Sequence, residues 1–119
     1  VTQRGPRLYL THILESVALA TTYVGEVSLV DFVENQQLQD AVIRRLEIIG
    51  EAVKKLPTEL RDAHDTVPWR RIAGMRDKVI HDYMGVDAEL VWNVVRDELP
   101  QLAAQVRAIR DSLPDAPTP

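Results

Sequence analysis

The sequence predicts an all-α protein, an up-and-down helical bundle with four main helices and one or two short ones. Two observations carry this expectation. Apolar residues recur three and four positions apart through most of the chain, the spacing that lines one face of a helix. Pro6, Gly25, Pro57, Pro68 and Gly85 punctuate those periodic stretches where helices start and stop. Nothing in the pattern requires a strand.

The first helix is expected over Pro6 to Tyr23, with Leu8, Ile13, Leu14, Val17, Leu19 and Tyr23 as its buried stripe and Gly25 as its terminator. Ser28 is placed to cap a short helix anchored by Leu29, Val30, Phe32 and Val33. From Leu38 the pattern strengthens through Val42, Leu46, Ile49 and Val53 to Leu56, which makes this the central packing helix. Its other face carries Arg44, Arg45, Glu47, Glu51, Lys54 and Lys55, and Glu47 and Glu51 repel each other unless paired elsewhere. Gly50 inside this helix costs about 1 kcal/mol relative to alanine, so it signals close helix packing. Thr58 is expected to cap a short helix through Asp65. Pro68 then opens one helix running to Tyr83, anchored by Ile72, Met75, Val79 and Ile80. Asp87 caps the last region, which Pro100 bends or divides. Trp69, Trp92 and Met75 are read as packing residues, and His12 and His64 as surface or hydrogen-bonded histidines.

At 119 residues and 45% apolar composition the chain fits one folded domain, expected over 1–113, with a flexible proline-rich tail at 114–119. It has no cysteine, which removes disulfides, thiol nucleophiles and thiolate metal sites, and its three scattered histidines make no metal motif. No metal or cofactor is called for. No apolar run approaches the roughly 20 residues of a membrane span, and there is no signal-like start, so a cytoplasmic location is expected. The net charge of −4 opposes unspecific attraction to nucleic acid, so any RNA site must be a local positive region.

Reactive groups concentrate in PWRRIAGMRDKVIHDY, Pro68 to Tyr83, where Arg76, His81 and Tyr83 are spaced R-x4-H-x-Y. A guanidinium clamps phosphate oxygens, an imidazole exchanges protons near neutral pH, and a phenol aligns or hydrogen-bonds either. These are the groups that RNA cleavage through the ribose 2′-hydroxyl needs if no metal takes part. Arg70, Arg71 and Lys78 extend the positive surface, Asp77 is placed to tune His81 from one helical turn away, and Glu51 is a candidate supporting acid. On one undistorted helix, however, Arg76 and His81 point about 140° apart. Their cooperation then requires a cleft between helices or between two copies of the chain.

The stretches LQDAVIRRLEIIGEAVKKLP (Leu38 to Pro57), PWRRIAGMRDKVIHDYMGVD (Pro68 to Asp87) and, less specifically, VWNVVRDELPQL (Val91 to Leu102) resemble HepT-like toxins of the HEPN ribonuclease superfamily, once described as DUF86. The resemblance implies a HEPN-type helical bundle and a homodimer whose cleft joins the motif from both protomers. It also implies a metal-independent endoribonuclease with Arg76 and His81 as the catalytic pair and Tyr83 as their companion. HepT-like toxins pair with MntA-like minimal nucleotidyltransferase antitoxins, some of which transfer AMP to the motif tyrosine, here Tyr83. The competing expectation is a noncatalytic helical partner, or substrate-binding subunit, of a nucleotidyltransferase.

Overall fold

A computed structural model describes residues 5–81 and 85–114, His81 through its backbone. Its elements in order are α1 (Pro6–Val24), α2 (Leu29–Val33), α3 (Gln36–Lys55), α4 (Thr58–Ala63), α5 (Trp69–Ala73), α6 (Met75–Val79), β1 (Ile80–His81), β2 (Gly85–Val86), α7 (Ala88–Asn93), a π-helical segment (Val94–Glu98) and α8 (Leu99–Ser112). The fold is the all-α bundle expected. The long helix α3 packs along α1 on one side and carries α5 and α6 on another, while α8 packs back on α1.

On α1 the buried stripe is Leu10, Ile13, Val17, Ala20 and Val24, each three or four residues from the last. This corrects the expected stripe, because Leu19 and Tyr23 lie at the outer edge, 39% and 36% exposed. They are rotated off the buried row by the helical repeat. Gly25 ends the helix as expected, at φ 48°, donating to Thr21 O. Ser28 Oγ caps α2 by accepting from Asp31 N. Of that helix only Phe32 is buried, and Val30 and Val33 are exposed. The α2–α3 junction is tied by Gln39, a buried amide whose Nε2 donates to both Phe32 O and Val33 O at 2.9 Å. Asn35 caps α3 through Leu38 N.

Thr58 is the first residue of α4 rather than its cap, since Pro57 takes that position and no side chain accepts there. The single helix expected from Pro68 to Tyr83 is broken twice. Gly74 ends α5 and begins α6 with φ −95° and ψ 5°, and at Ile80 the backbone turns extended, φ −106° and ψ 121°. The strand pairing that replaces the helix is antiparallel, Ile80 opposite Val86 and His81 opposite Gly85. Val79 and Ile80 are β-branched neighbours that favour this geometry. Gly85, at φ 89°, supplies a left-handed backbone, and Asp87 N closes the unit on Val79 O at 2.8 Å.

Asp87 caps α7 through Leu90 N. Pro100 sits at the second position of α8, where its missing N–H costs little, and the π-helical turn before it absorbs the change of ladder. The rod therefore continues through the proline. Val91, Val94, Val95, Leu99, Leu102, Val106 and Ile109 are its buried face. Trp92 packs as expected, donating to Val27 O, with the Arg96 guanidinium 4.8 Å above its ring. Arg7 joins the two ends by donating to Leu113 O and Pro114 O. The expected tail beyond Pro114 lies outside the described residues. No described helix is long and apolar enough to cross a membrane.

Candidate active site

The site is built on a close approach between two helices. A Cβ placed on Gly50 would lie 3.1 Å from Ala73 O, so glycine in the middle of α3 lets the end of α5 settle against it. The packing expected for Gly50 is what the structure has. Trp69 fixes the other end of α5, buried and donating through Nε1 to Arg61 O at 3.2 Å and His64 O at 3.0 Å. Ile72 and Met75 are buried on either side of the Gly74 turn, which brings α6 across α3.

From α6 the side chain of Arg76 reaches α3, where its Nε donates to Glu47 Oε2 at 2.8 Å. Its Nη1 makes a long contact of 3.5 Å with Asp77 Oδ1. The Arg76 side chain is 48% exposed, that of Glu47 32% and that of Asp77 85%. The hydrogen bond to Glu47, followed by the charge of Glu47 and that of Asp77, holds the guanidinium above its already high ordinary pKa. Arg76 is therefore a permanent cation over any pH at which the protein works. A groove of about 320 Å³ opens beside it, lined by Arg44, Glu47, Glu51, Lys54, Arg76 and Asp77 together with Leu46, Gly50 and Ala73. Its charged lining comprises three cations and three carboxylates.

The positions expected for the site divide into three groups. Arg76, Asp77 and Glu51 do meet around this groove. Glu51, however, pairs with Lys54 at 3.4 Å, and the acid on Arg76 is Glu47 one turn earlier. The repulsion expected between Glu47 and Glu51 is relieved because each carboxylate has its own cation. Asp77 is not a helical neighbour of His81, because α6 ends at Val79 and His81 belongs to β1. The angle of about 140° derived from an unbroken helix does not apply for the same reason. Arg71 faces elsewhere, bonded to Glu98 at 2.7 Å, while Arg70 and Lys78 are exposed and enter no ion pair recorded among the described residues. Tyr83 lies outside the described residues. Among those described, no three His, Cys, Asp or Glu side chains converge as metal ligands would.

Residues 13–109 match the family profile described as "Ribonuclease HepT-like". The chain belongs to the HepT-like ribonuclease family. A protein of Caldanaerobacter subterraneus named "Putative RNase" is 49% identical to it over 89% of this chain and 95% of its own. "Probable ribonuclease HepT" of Thermococcus cleftensis is 40% identical, over 91% of this chain and 98% of its own. A Methanocaldococcus jannaschii protein named "Gamma-glutamylcyclotransferase and putative RNase" is 46% identical over 93% of this chain, which spans 50% of that longer protein. No solved structure matches. The matched region contains the groove, α6 and the whole R-x4-H-x-Y stretch.

Proposed function

We propose that this HepT-like protein is the toxin of a toxin–antitoxin pair, an endoribonuclease that cuts RNA without a metal ion at a cleft between two copies of the chain. In this reading His81 moves the protons, Arg76 holds the non-bridging oxygens of the scissile phosphate, and Tyr83 aligns the phosphate or the imidazole. Arg70 and Lys78 guide the RNA strand, with Arg71 contributing once it leaves Glu98. The ribose 2′-oxygen attacks phosphorus as its proton passes to a base. The bond to the 5′-oxygen breaks as that oxygen gains a proton, which leaves a 2′,3′-cyclic phosphate and a 5′-hydroxyl.

The observation that carries the reading is the placement of Arg76. Its half-exposed side chain is anchored by one nitrogen to α3 and stands over an open groove. Three residues later α6 gives way to a strand that carries His81. This arrangement suits a phosphate clamp, because the anchored cation keeps terminal nitrogens for an incoming anion. Inactivation is proposed to fall to an MntA-like minimal nucleotidyltransferase. The Tyr83 phenolic oxygen attacks the α-phosphorus of ATP, pyrophosphate leaves, and the phenolic proton goes to solvent.

Incubation of the purified protein with RNA in the presence of a chelator tests the reading. Cleavage leaving 2′,3′-cyclic phosphate ends is expected, and Arg76→Ala and His81→Ala are each expected to slow it by about 10²–10⁴-fold while the protein stays folded. Intact RNA across a broad substrate panel, with a folded dimer verified, overturns the nuclease and leaves the noncatalytic nucleotidyltransferase partner as the better reading.

A further inference from the structure

We infer that Glu47 is the positioning residue for the active-site guanidinium: its bond to Arg76 Nε fixes the plane of the group and leaves the two terminal nitrogens to receive a phosphate. The inference rests on the proposed role of Arg76 and adds a residue that the R-x4-H-x-Y motif does not contain.

An arginine side chain has several rotatable bonds, and a half-exposed one samples many rotamers unless something holds it. A phosphate diester offers two non-bridging oxygens, which a guanidinium grips best with a pair of nitrogens in its own plane. Where that plane is held therefore decides how much of the clamp is ready before RNA arrives. Glu47 holds it at one corner. The 2.8 Å bond to Nε is short and charge-assisted, whereas the 3.5 Å approach of Asp77 to Nη1 is at the limit of a hydrogen bond and comes from a side chain 85% exposed. An oncoming phosphate displaces the second easily and has no need to displace the first.

The backbone makes this pairing specific to Glu47. Gly50 admits the end of α5 onto α3, with Ala73 O 3.1 Å from where a Cβ would stand. The chain turns at Gly74, and Arg76 follows as the second residue of α6, over the α3 turn that holds Glu47. Glu51, on the far side of Gly50, is bonded to the exposed Lys54 instead. Glu47 and Arg76 are 29 residues apart in sequence, so their bond also registers α6 on α3.

The test measures kcat and KM for RNA cleavage in chelator, with melting temperatures, for Glu47→Ala, Glu47→Gln, Arg76→Ala and the Glu47→Ala/Arg76→Ala double variant. Glu47→Ala is expected to lower kcat by about 10–100-fold, as a misplaced clamp does, with KM little changed. Glu47→Gln is expected to keep most of the wild-type kcat, because its amide oxygen still accepts the Nε–H. The double variant is expected to be no slower than Arg76→Ala alone, since Glu47 acts only through that side chain. If Glu47→Ala fails to fold, Glu47→Met keeps the length of the side chain and removes the acceptor. The inference is overturned by a Glu47→Ala or Glu47→Met enzyme of wild-type kcat, by a Glu47→Gln enzyme as slow as Glu47→Ala, or by a double variant slower than Arg76→Ala by the full Glu47→Ala factor. A wild-type protein that leaves RNA intact, or an Arg76→Ala enzyme of wild-type rate, defeats the reading of Arg76 and the Glu47 assignment with it. A slow Arg76→Ala beside an undiminished Glu47→Ala defeats the assignment alone.

Discussion

An AMP group on Tyr83 would bring a phosphate charge and the bulk of an adenosine to a position two residues from His81, in a site proposed to hold an RNA phosphate. Like charges at such a place exclude each other, and the nucleotide fills space the RNA needs. Incubation with a cognate nucleotidyltransferase and ATP is therefore expected to add AMP-sized increments to the intact mass. Tyr83→Phe should abolish them, and survival of the same increments in that variant places the modification on another residue. At this scale the sequence was legible where a residue's chemistry suffices. Gly50, Trp69 and the Ser28 and Asp87 caps do what their types and neighbours suggest. The acid on Arg76 was not legible, because Glu47 and Glu51 share one face of α3 and only the path of α5 over Gly50 selects between them. The unresolved repulsion within that pair was the one signal that a cation would come from elsewhere in the chain. Gln39 left no such signal, since its amide answers carbonyls exposed only when α2 ends.

Between elements, the contact of α3 with α5 sets the geometry on which the groove depends. Gly50→Ala gains about 1 kcal/mol of helix propensity. It also drives a Cβ to within 3.1 Å of a backbone carbonyl, which has no rotamer by which to retreat. The clash, about 1–3 kcal/mol, is expected to outweigh that gain, for a net loss of up to about 2 kcal/mol in chemical denaturation. The same displacement should lower RNA cleavage, because α6 moves with α5 and takes Arg76 away from Glu47. A variant as stable and as active as wild type would show that α5 has freedom to shift without consequence. Helical periodicity gave the long elements reliably, α3 within two residues at its start and α1 within one at its end. It failed on the focal stretch, where the apolar spacing of Ile72, Met75 and Val79 persists across the Gly74 turn. Burial on one side is all that such spacing reports, and two short helices in line satisfy it as well as one long one. The strand pair after Val79 is set by Gly85 and by the Asp87–Val79 bond, both of them downstream of the helical pattern.

For the molecule as a whole, charge is the problem that an RNA-cutting reading must solve. The chain is acidic at −4, and the groove beside Arg76 balances three cations with three carboxylates. One copy thus offers RNA little net attraction, and its groove is open rather than enclosed. Two copies related by a two-fold axis would place two motifs about one cleft and shield the reacting phosphate from water, which strengthens every charge interaction there. The break of α6 at Val79 removes the fixed angle that an unbroken helix would set between Arg76 and His81, which is compatible with the two belonging to different halves of such a cleft. Mixing Arg76→Ala with His81→Ala protein separates the possibilities. If each site takes Arg76 from one chain and His81 from the other, a heterodimer holds one intact site and one doubly disabled site. Equal mixing makes half the dimers heterodimers, so about a quarter of wild-type activity should return. If both groups of a site come from one chain, no heterodimer contains an intact site and the mixture stays as inactive as its components. Cleavage assays on a mixture whose heterodimers have been verified by mass, for instance with one variant isotope-labelled, read the difference directly. Silence in that mixture overturns the shared site while leaving each single-variant result in place.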